Sequence, residues 1–429
     1  MDLFEQLPRL SAYDPGATGE GGLDPLGLSA IADRLADVLA PGVRARMNQP
    51  HFVTISAAGA IACQQLHGSE PGKTTVDIAF EWLVVEAIVG HSGKAGSQGL
   101  PGSQKAARAL ALKQRLSPST YLSGPRVFGF TGIYRPFSRD AGVLTSDDLP
   151  DTNAPRLVRA WERDHKLNGF VDNESDTPGG KFRKRIADAC KQSLDVGACA
   201  GPIKGDLPRR LSESFAPGAA KSEEKRILHE LIVAGKHEIR NEITAKLVAR
   251  PPPEGVPQKV LAQQLVKGAS MPTKRALQAA IDYEDAATAL DLAFRRFLAY
   301  TVSRGRVISK LEARLTPGLK ELAPKIGDLV KRAKASVDQI GDTELSNQTE
   351  RAFQFFSGAP SPAELLDLLI ERHEEVQSRK KKLMWIDQIG GDWIVRIPYG
   401  TENDDLNVDI WAHPMRLKTL ATFLAETAS

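Results

Sequence analysis

The sequence predicts a mainly α-helical protein: multi-helix modules with a small β-containing, winged-helix-like middle and a C-terminal β-hairpin. Ala, Leu, Arg, Glu and Lys, residues that lose little free energy in a helix, fill the long segments, while aromatic residues make up only 6%. Apolar residues recur mostly at helical spacing. A chain of 429 residues exceeds what one hydrophobic core usually covers. Subdivision is therefore expected, with modules at residues 1–118, 119–180, 181–382 and 383–429.

In chain order, residues 26–39 place Leu28, Ile31, Leu35 and Leu39 on one helical face, and Pro41-Gly42 ends that helix. Helices are expected at 51–66 and 74–89, the second with a nearly all-apolar centre that suits burial on most sides. Residues 90–102 read as a Gly/Ser-rich loop and 103–116 as a fourth helix. From Ser119 the character changes: 121–130 and 142–144 read as short strands, beside a helix at 155–165 whose polar face holds Arg156, Arg159 and Arg163. That combination suits a winged helix.

Long helices are then expected at 181–194, 222–250, 271–303, 320–337 and 361–385. Pro251-Pro252-Pro253 ends one of them, because consecutive prolines lack the donors a helix needs. Ser361-Pro362-Ala363-Glu364 opens another, with a capping hydroxyl, proline in the first turn and a carboxylate that reaches back. Trp385-Ile386-Asp387, a Gly390-Gly391-Asp392 turn and residues 393–397 read as a hairpin, followed by a helix from about His413.

Composition narrows the function classes. Hydrophobic residues at 41% and charged residues at 25% are ordinary for a folded domain. Three cysteines, none in C-x-x-C spacing, argue against a disulfide framework and a zinc ribbon and point to a reducing compartment. Residues 1–10 have no basic stretch leading into an apolar one, and no run of about 18 apolar residues occurs anywhere. A cytoplasmic location without membrane contact is expected. A net charge of +3 gives no global warrant for nucleic-acid binding, so any such contact must come from a local patch.

Several motifs invite a catalytic reading. Gly68-Ser69-Glu70-Pro71-Gly72-Lys73-Thr74 is one residue shorter than a phosphate-binding Walker loop, and what precedes it reads as helix rather than strand. His229 and His237 sit two turns apart, too far to share a metal without further ligands. Glu223-Glu224-Lys225 has the letters of a metal-nuclease motif but lies at a helix start, and no Gly-x-Ser-x-Gly elbow is present. No cofactor or metal site is expected. The spacing of Arg159 and His165 resembles that on one helix of HEPN-type ribonucleases, which makes this pair the candidate for an alternative reading as a nuclease, HEPN-type or metal-dependent.

The remaining candidates are electrostatic and aromatic. Lys181, Arg183, Lys184 and Arg185 follow a flexible Gly-Gly and are continued by Arg209 and Arg210; such a cluster can neutralise several phosphates. A second run, Arg379 to Lys382, suits a helix C-terminus, where cations are favoured. Trp385, Trp393 and Trp411 are candidate partner anchors or the filling of a small hairpin core.

The phrase Leu23-Asp24-Pro25-Leu26-Gly27-Leu28, continuing through Ala32-Asp33 to Ala40-Pro41-Gly42-Val43, resembles the opening of uncharacterised helical proteins associated with bacterial phage-defence operons. The resemblance covers about the first 60 residues. It implies a non-catalytic subunit working beside an ATPase, helicase or nuclease encoded nearby. The expectation is thus an adaptor of an anti-phage system that engages double-stranded DNA through the Lys181–Arg210 cations.

Overall fold

The computed structural model describes residues 24–68, 74–397 and 410–428. The protein is mainly helical, as expected, and has two compact units. The first comprises Met1–Leu35 and Pro257–Pro414, the second Ala36–Val256 and Met415–Ser429. This division differs from the four contiguous modules expected, because its boundary falls inside the first helix, α1 (Ser29–Leu39), and the chain's last helix belongs with the second unit. Among the described residues, no helix is long and apolar enough to cross a membrane.

The second unit is built on α2 (His51–Cys63) and α3 (Val76–Gly96). Every residue of α2 is buried. Gly59 permits its approach to α3, since a Cβ there would stand 2.4 Å from the Phe80 ring. Helix α3 runs beyond its expected end, through a non-helical Gly93, into the stretch read as a loop. Around this pair lie α4 (Ser103–Ala111), α5 (Pro125–Phe128), α6 (Phe130–Asp140), α7 (Ala154–Asp164), α8 (Pro178–Val196), α9 (Asp206–Phe215), α10 (Ser222–Val233), α11 (Glu238–Ala249) and the final helix α18 (Leu417–Thr427).

The middle is not a winged helix. Residues 119–180 form α5, α6, α7 and the start of α8, and their β pairing is one isolated bridge between Leu144 and Pro150. The apolar residues from Phe130 onward carry a helical period instead: Phe130, Ile133, Tyr134 and Phe137 are all buried on one face of α6. The Pro136 that interrupts this pattern is accommodated inside the helix. Residues 222–250 likewise form two helices, broken at Ala234-Gly235-Lys236-His237.

Two acids on α3 hold the irregular middle in place. Glu81 is fully buried and accepts the backbone N–H of Thr131 (2.9 Å) at the start of α6, the Thr131 hydroxyl (2.5 Å) and the Tyr121 hydroxyl (2.9 Å). Glu86 accepts Arg115 Nε (3.0 Å) and the backbone N–H of Leu116 (2.7 Å). Burial pushes the Glu81 carboxyl up to about 7, against the hydrogen bonds from Thr131 and Tyr121.

The first unit centres on α13 (Met271–Ser303), whose observed bounds match those expected. Around it lie α12 (Gln258–Val266), α14 (Lys310–Ala313), α15 (Leu319–Asp338), α16 (Thr343–Phe353) and α17 (Pro362–Arg379). A three-stranded antiparallel sheet has the order β1 (Val307–Ser309), β3 (Asp392–Val395), β2 (Ile386–Ile389). The expected hairpin is β2–β3, turning at Gly390 and Gly391, both at positive φ. The third strand, β1, pairs Val307 with Ile394 and was not anticipated.

The Asp24–Leu28 phrase is a docking turn. Asp24 accepts the N–H of Leu28 (2.8 Å) and so caps the start of α1, while the carbonyls of Pro25 and Leu26 face α17. Buried Arg372 donates to Leu26 O (3.0 Å). His373 Nδ1 donates to Pro25 O (3.0 Å), and its Nε2 accepts the N–H of Trp385 (3.1 Å). Those two partners require the neutral imidazole, in line with burial lowering the His373 pKa to about 4.

Two outcomes are expected from these contacts. The native Glu81 pKa lies above its unfolded value, so this group's stabilisation is greatest in acid and falls as pH rises from about 4.5 through 7. Across that window the loss is about 3 kcal/mol. Glu81→Gln should remove the decline, checked as the difference in urea-unfolding midpoint between variant and parent at pH 5 and pH 8; a constant difference would contradict it. In the first unit, Ser361 accepts the N–H of Glu364 and Glu364 that of Ser361, the reciprocal box expected. Ser361→Ala should cost about 1 kcal/mol in chemical denaturation.

Candidate nucleic-acid interface

Helix α8 begins with Thr177, whose hydroxyl accepts the N–H of Gly180, and with Pro178 in the first turn. Gly179 and Gly180 let this start lie against the 167–174 segment, because a Cβ on either would stand 1.9 Å from a backbone oxygen there. Phe182, Ile186, Cys190 and Leu194 then form a buried stripe at four-residue intervals. In α9 the corresponding stripe is Leu207, Leu211 and Phe215. Both helices pack on α3. Burial of these stripes leaves Lys181, Lys184, Arg185, Arg209 and Arg210 at the surface.

Cations from the two helices meet there. Lys181, Lys184, Arg185 and Arg210 line an open groove of about 540 Å³, together with Asp176, Asp188 and Asp206. Asp206 is the hub: its carboxylate accepts Arg185 Nη1 (2.9 Å), Arg209 Nη2 (2.6 Å) and Arg210 Nε (3.0 Å). Hydrogen bonds from Arg210, Arg185 and Arg209 hold the Asp206 pKa down to about 2. Arg209 also grips Glu213 (2.9 Å), and Lys184 reaches Asp188 (2.8 Å). Lys181 makes no ion pair among the described residues. Five cations thus stand against four carboxylates, and every ion pair among them is solvent-exposed. Exposed pairs are individually worth about 0–1 kcal/mol, so an incoming phosphate can exchange with them.

Arg183 is not part of this surface. Its Nη1 donates to the carbonyls of Phe170 (3.1 Å) and Val171 (2.8 Å), so it ties α8 to the preceding loop. The neutralising acids escaped the sequence reading, although Asp206 lies three and four residues before Arg209 and Arg210, and Lys184 four before Asp188. Those are the spacings of helical ion pairs.

The other candidates are placed differently. Arg159 is exposed and bidentate to Asp172 (2.7 and 2.8 Å). His165, just after α7, has its ring among Trp161, His51, Glu224 and Lys221, where burial lowers its pKa to about 4. The pair does not converge on a shared site. Arg156 and Arg163 are likewise paired, with Glu230 and Glu223, so the arginine face of α7 is charge-balanced. Glu224 is buried and accepts Thr54 Oγ1 (2.6 Å) and pairs with His51 Nδ1 (2.6 Å). His229 faces Thr427 and His237 faces Asp140.

Trp385, Trp393 and Trp411 are all buried, which corrects the partner-anchor reading and leaves the core-filling alternative. Trp385 packs on Phe294 and His373, and Trp393 meets Phe297 edge-on. The basic run at 379–382 sits at the C-terminus of α17, where Lys380 donates to Asp24 O (3.0 Å). Residues 69–73 of the Walker-like loop lie outside the described residues; Gly68 before them follows a helix and a 3-10 turn. Among the described residues no group of His, Cys, Asp or Glu is arranged to hold a metal, and Cys63, Cys190 and Cys199 are free and buried.

Comparison with protein-family models, curated proteins and solved structures gives no significant match.

The two kinds of cation should separate on substitution. Arg183→Ala leaves two carbonyls without their donor and should cost about 1–3 kcal/mol. Lys184→Ala, which removes one exposed pair, should stay within about 0.5 kcal/mol of the parent. Parallel urea titrations check this; equal costs would contradict the structural role of Arg183.

Proposed function

We propose that the chain is a non-catalytic, DNA-engaging adaptor of a multiprotein bacterial anti-phage system, and that the α8–α9 groove is its contact with double-stranded DNA. The observation that supports the DNA contact is the convergence of Lys181, Lys184, Arg185 and Arg210 from two helices around one open groove, with Arg209 joined to them through Asp206. The defence setting, and a partner ATPase, helicase or nuclease, rest on the Asp24–Val43 resemblance. The groove suits backbone recognition: arginine forks offer several donors each, which matches phosphate oxygens and carries no base information. The nuclease alternative has weaker support, because Arg159 is engaged by Asp172 and a histidine with a pKa of about 4 is a poor general base near neutral pH.

Fluorescence anisotropy of a labelled duplex tests the reading. With about five phosphates contacted, the logarithm of affinity should fall against the logarithm of salt with a slope of about −4.5. Changing Lys181, Lys184, Arg185, Arg209 and Arg210 together to Ala, with Arg183 kept, should weaken binding at least tenfold and flatten that slope. Absence of binding at low salt, or binding unaffected by the five changes, would overturn the DNA contact.

A further inference from the structure

Residues 410–414 are the last of the first unit before the chain returns to the second, and they belong to no helix or strand. One carboxylate of α13 holds them. Glu284 is 0% exposed, and it takes both hydrogen bonds that His413 offers: Oε2 accepts the backbone N–H (3.0 Å) and Oε1 accepts ring Nδ1–H (2.8 Å). One turn farther along α13, the Thr288 hydroxyl accepts the N–H of Ala412 (3.0 Å). Two consecutive amides of an irregular segment are thus tied to one helix face.

A carboxylate removed from water needs a matching cation. Among the described residues, the partner within ion-pair distance of Glu284 is His413, whose side chain is 14% exposed. The other charges that bear on this imidazole are acids: Asp24, in the turn before α1, and Asp291, two turns along α13 from Glu284. Each has a cation of its own, Lys380 at 3.5 Å from Asp24 and Arg295 at 2.6 Å from Asp291. Burial disfavours the charged imidazole, but the hydrogen bond and charge of Glu284, with Asp24 and Asp291 behind them, outweigh it and hold the His413 pKa above its ordinary value. Because Nδ1 keeps its hydrogen for Glu284, the proton that titrates is on Nε2. Its loss preserves the hydrogen bond but turns a buried ion pair into a buried carboxylate without a cation, which is strongly destabilising.

We propose that residues 410–414 form a proton-operated strap: the imidazolium of His413 fastens the segment to Glu284, and deprotonation loosens it from α13. The strap is fully fastened below the unfolded-state pKa of histidine and is released as pH rises through the higher native value. It shares no residue with the α8–α9 groove and does not depend on the proposed DNA contact.

Amide hydrogen exchange of the full chain, measured by NMR together with the titration of the His413 ring from pH 5 to pH 9, tests the strap. The amides of Ala412 and His413 should be less protected than those in the middle of α13, the mark of a segment that opens by itself. Their protection, corrected for intrinsic exchange, should fall as His413 titrates. Linkage fixes the size of that fall at tenfold for each pH unit by which the native His413 pKa exceeds about 6.5. Glu284→Gln, which keeps an acceptor without its charge, should abolish the fall. His413→Asn, which keeps a neutral donor near the Nδ1 position, should show already at pH 6 the low protection that the parent reaches only in alkali. Protection equal to that of α13, protection that stays constant while His413 titrates, a native His413 pKa at or below the ordinary value, or the same fall in both variants would each overturn the strap.

Discussion

A carboxyl group inside the apolar centre of one helix organises the second unit. Helix α3 is buried on nearly every side, so Glu81 must find its hydrogen bonds within the protein. It finds them at the amino end of α6 and at Tyr121, in a stretch with little regular structure of its own. The same requirement shapes the neighbouring backbone. A Cβ on Gly129 would stand 1.9 Å from Glu81 Oε1, and one on Gly102 would stand 2.3 Å from the Tyr121 hydroxyl. One acid thus sets the position of α6, the rotamer of Tyr121 and the residue type at two further positions. Glu86 repeats the device for Arg115 and Leu116. A core of apolar groups alone tolerates sliding, whereas a buried acceptor with three required donors permits few alternatives.

The first unit reaches the same end with the roles reversed. There a helix supplies buried donors and a turn supplies the acceptors: Arg372 and His373 of α17 read the carbonyls of Leu26 and Pro25. Gly27 holds positive φ directly after them, with Val376 close enough that a Cβ would meet it at 2.9 Å. Tyr283 of α13 adds a hydroxyl to Leu28 O at 2.6 Å. The Asp-Pro-Leu-Gly phrase therefore has a structural meaning independent of any family resemblance: it caps α1 and presents two carbonyls in a defined geometry. Similarly, the Pro41-Gly42 stop supplies a carbonyl that accepts from Arg240.

These polar contacts also explain what the sequence made legible. Local signals were readable: the box at Ser361, the Gly-Gly hairpin turn and the long apolar face of α13 all depend on residues within one or two turns of each other. What escaped depends on distant partners. Strand β1 is three residues long and has meaning only beside β3, almost ninety positions later. In the middle segment, proline ordinarily interrupts a helix, yet Pro125 opens one helix and Pro136 sits inside the next. The one charged residue in the apolar centre of α3 was itself a signal, because an acid there has to be matched by donors elsewhere. The run Lys181–Arg185 is visible as a concentration of charge, but the separate role of Arg183 required knowledge of which carbonyls it meets.

Charge balance limits how the groove can act. The chain carries a net charge of only +3, and the arginine face of α7 is matched residue by residue with acids. Long-range attraction to a polyanion is accordingly weak, and beyond roughly 8–10 Å it is screened at ordinary salt. At the groove, Asp206 occupies the place a phosphate would take among three arginines and keeps their forks oriented without one. Replacing a fixed carboxylate by a phosphate exchanges one set of charge-assisted hydrogen bonds for another, so the net gain at each exchange is small. On the proposed reading, such a surface holds DNA weakly at ordinary salt and gains from a partner that brings the duplex close, which suits an adaptor within an assembly.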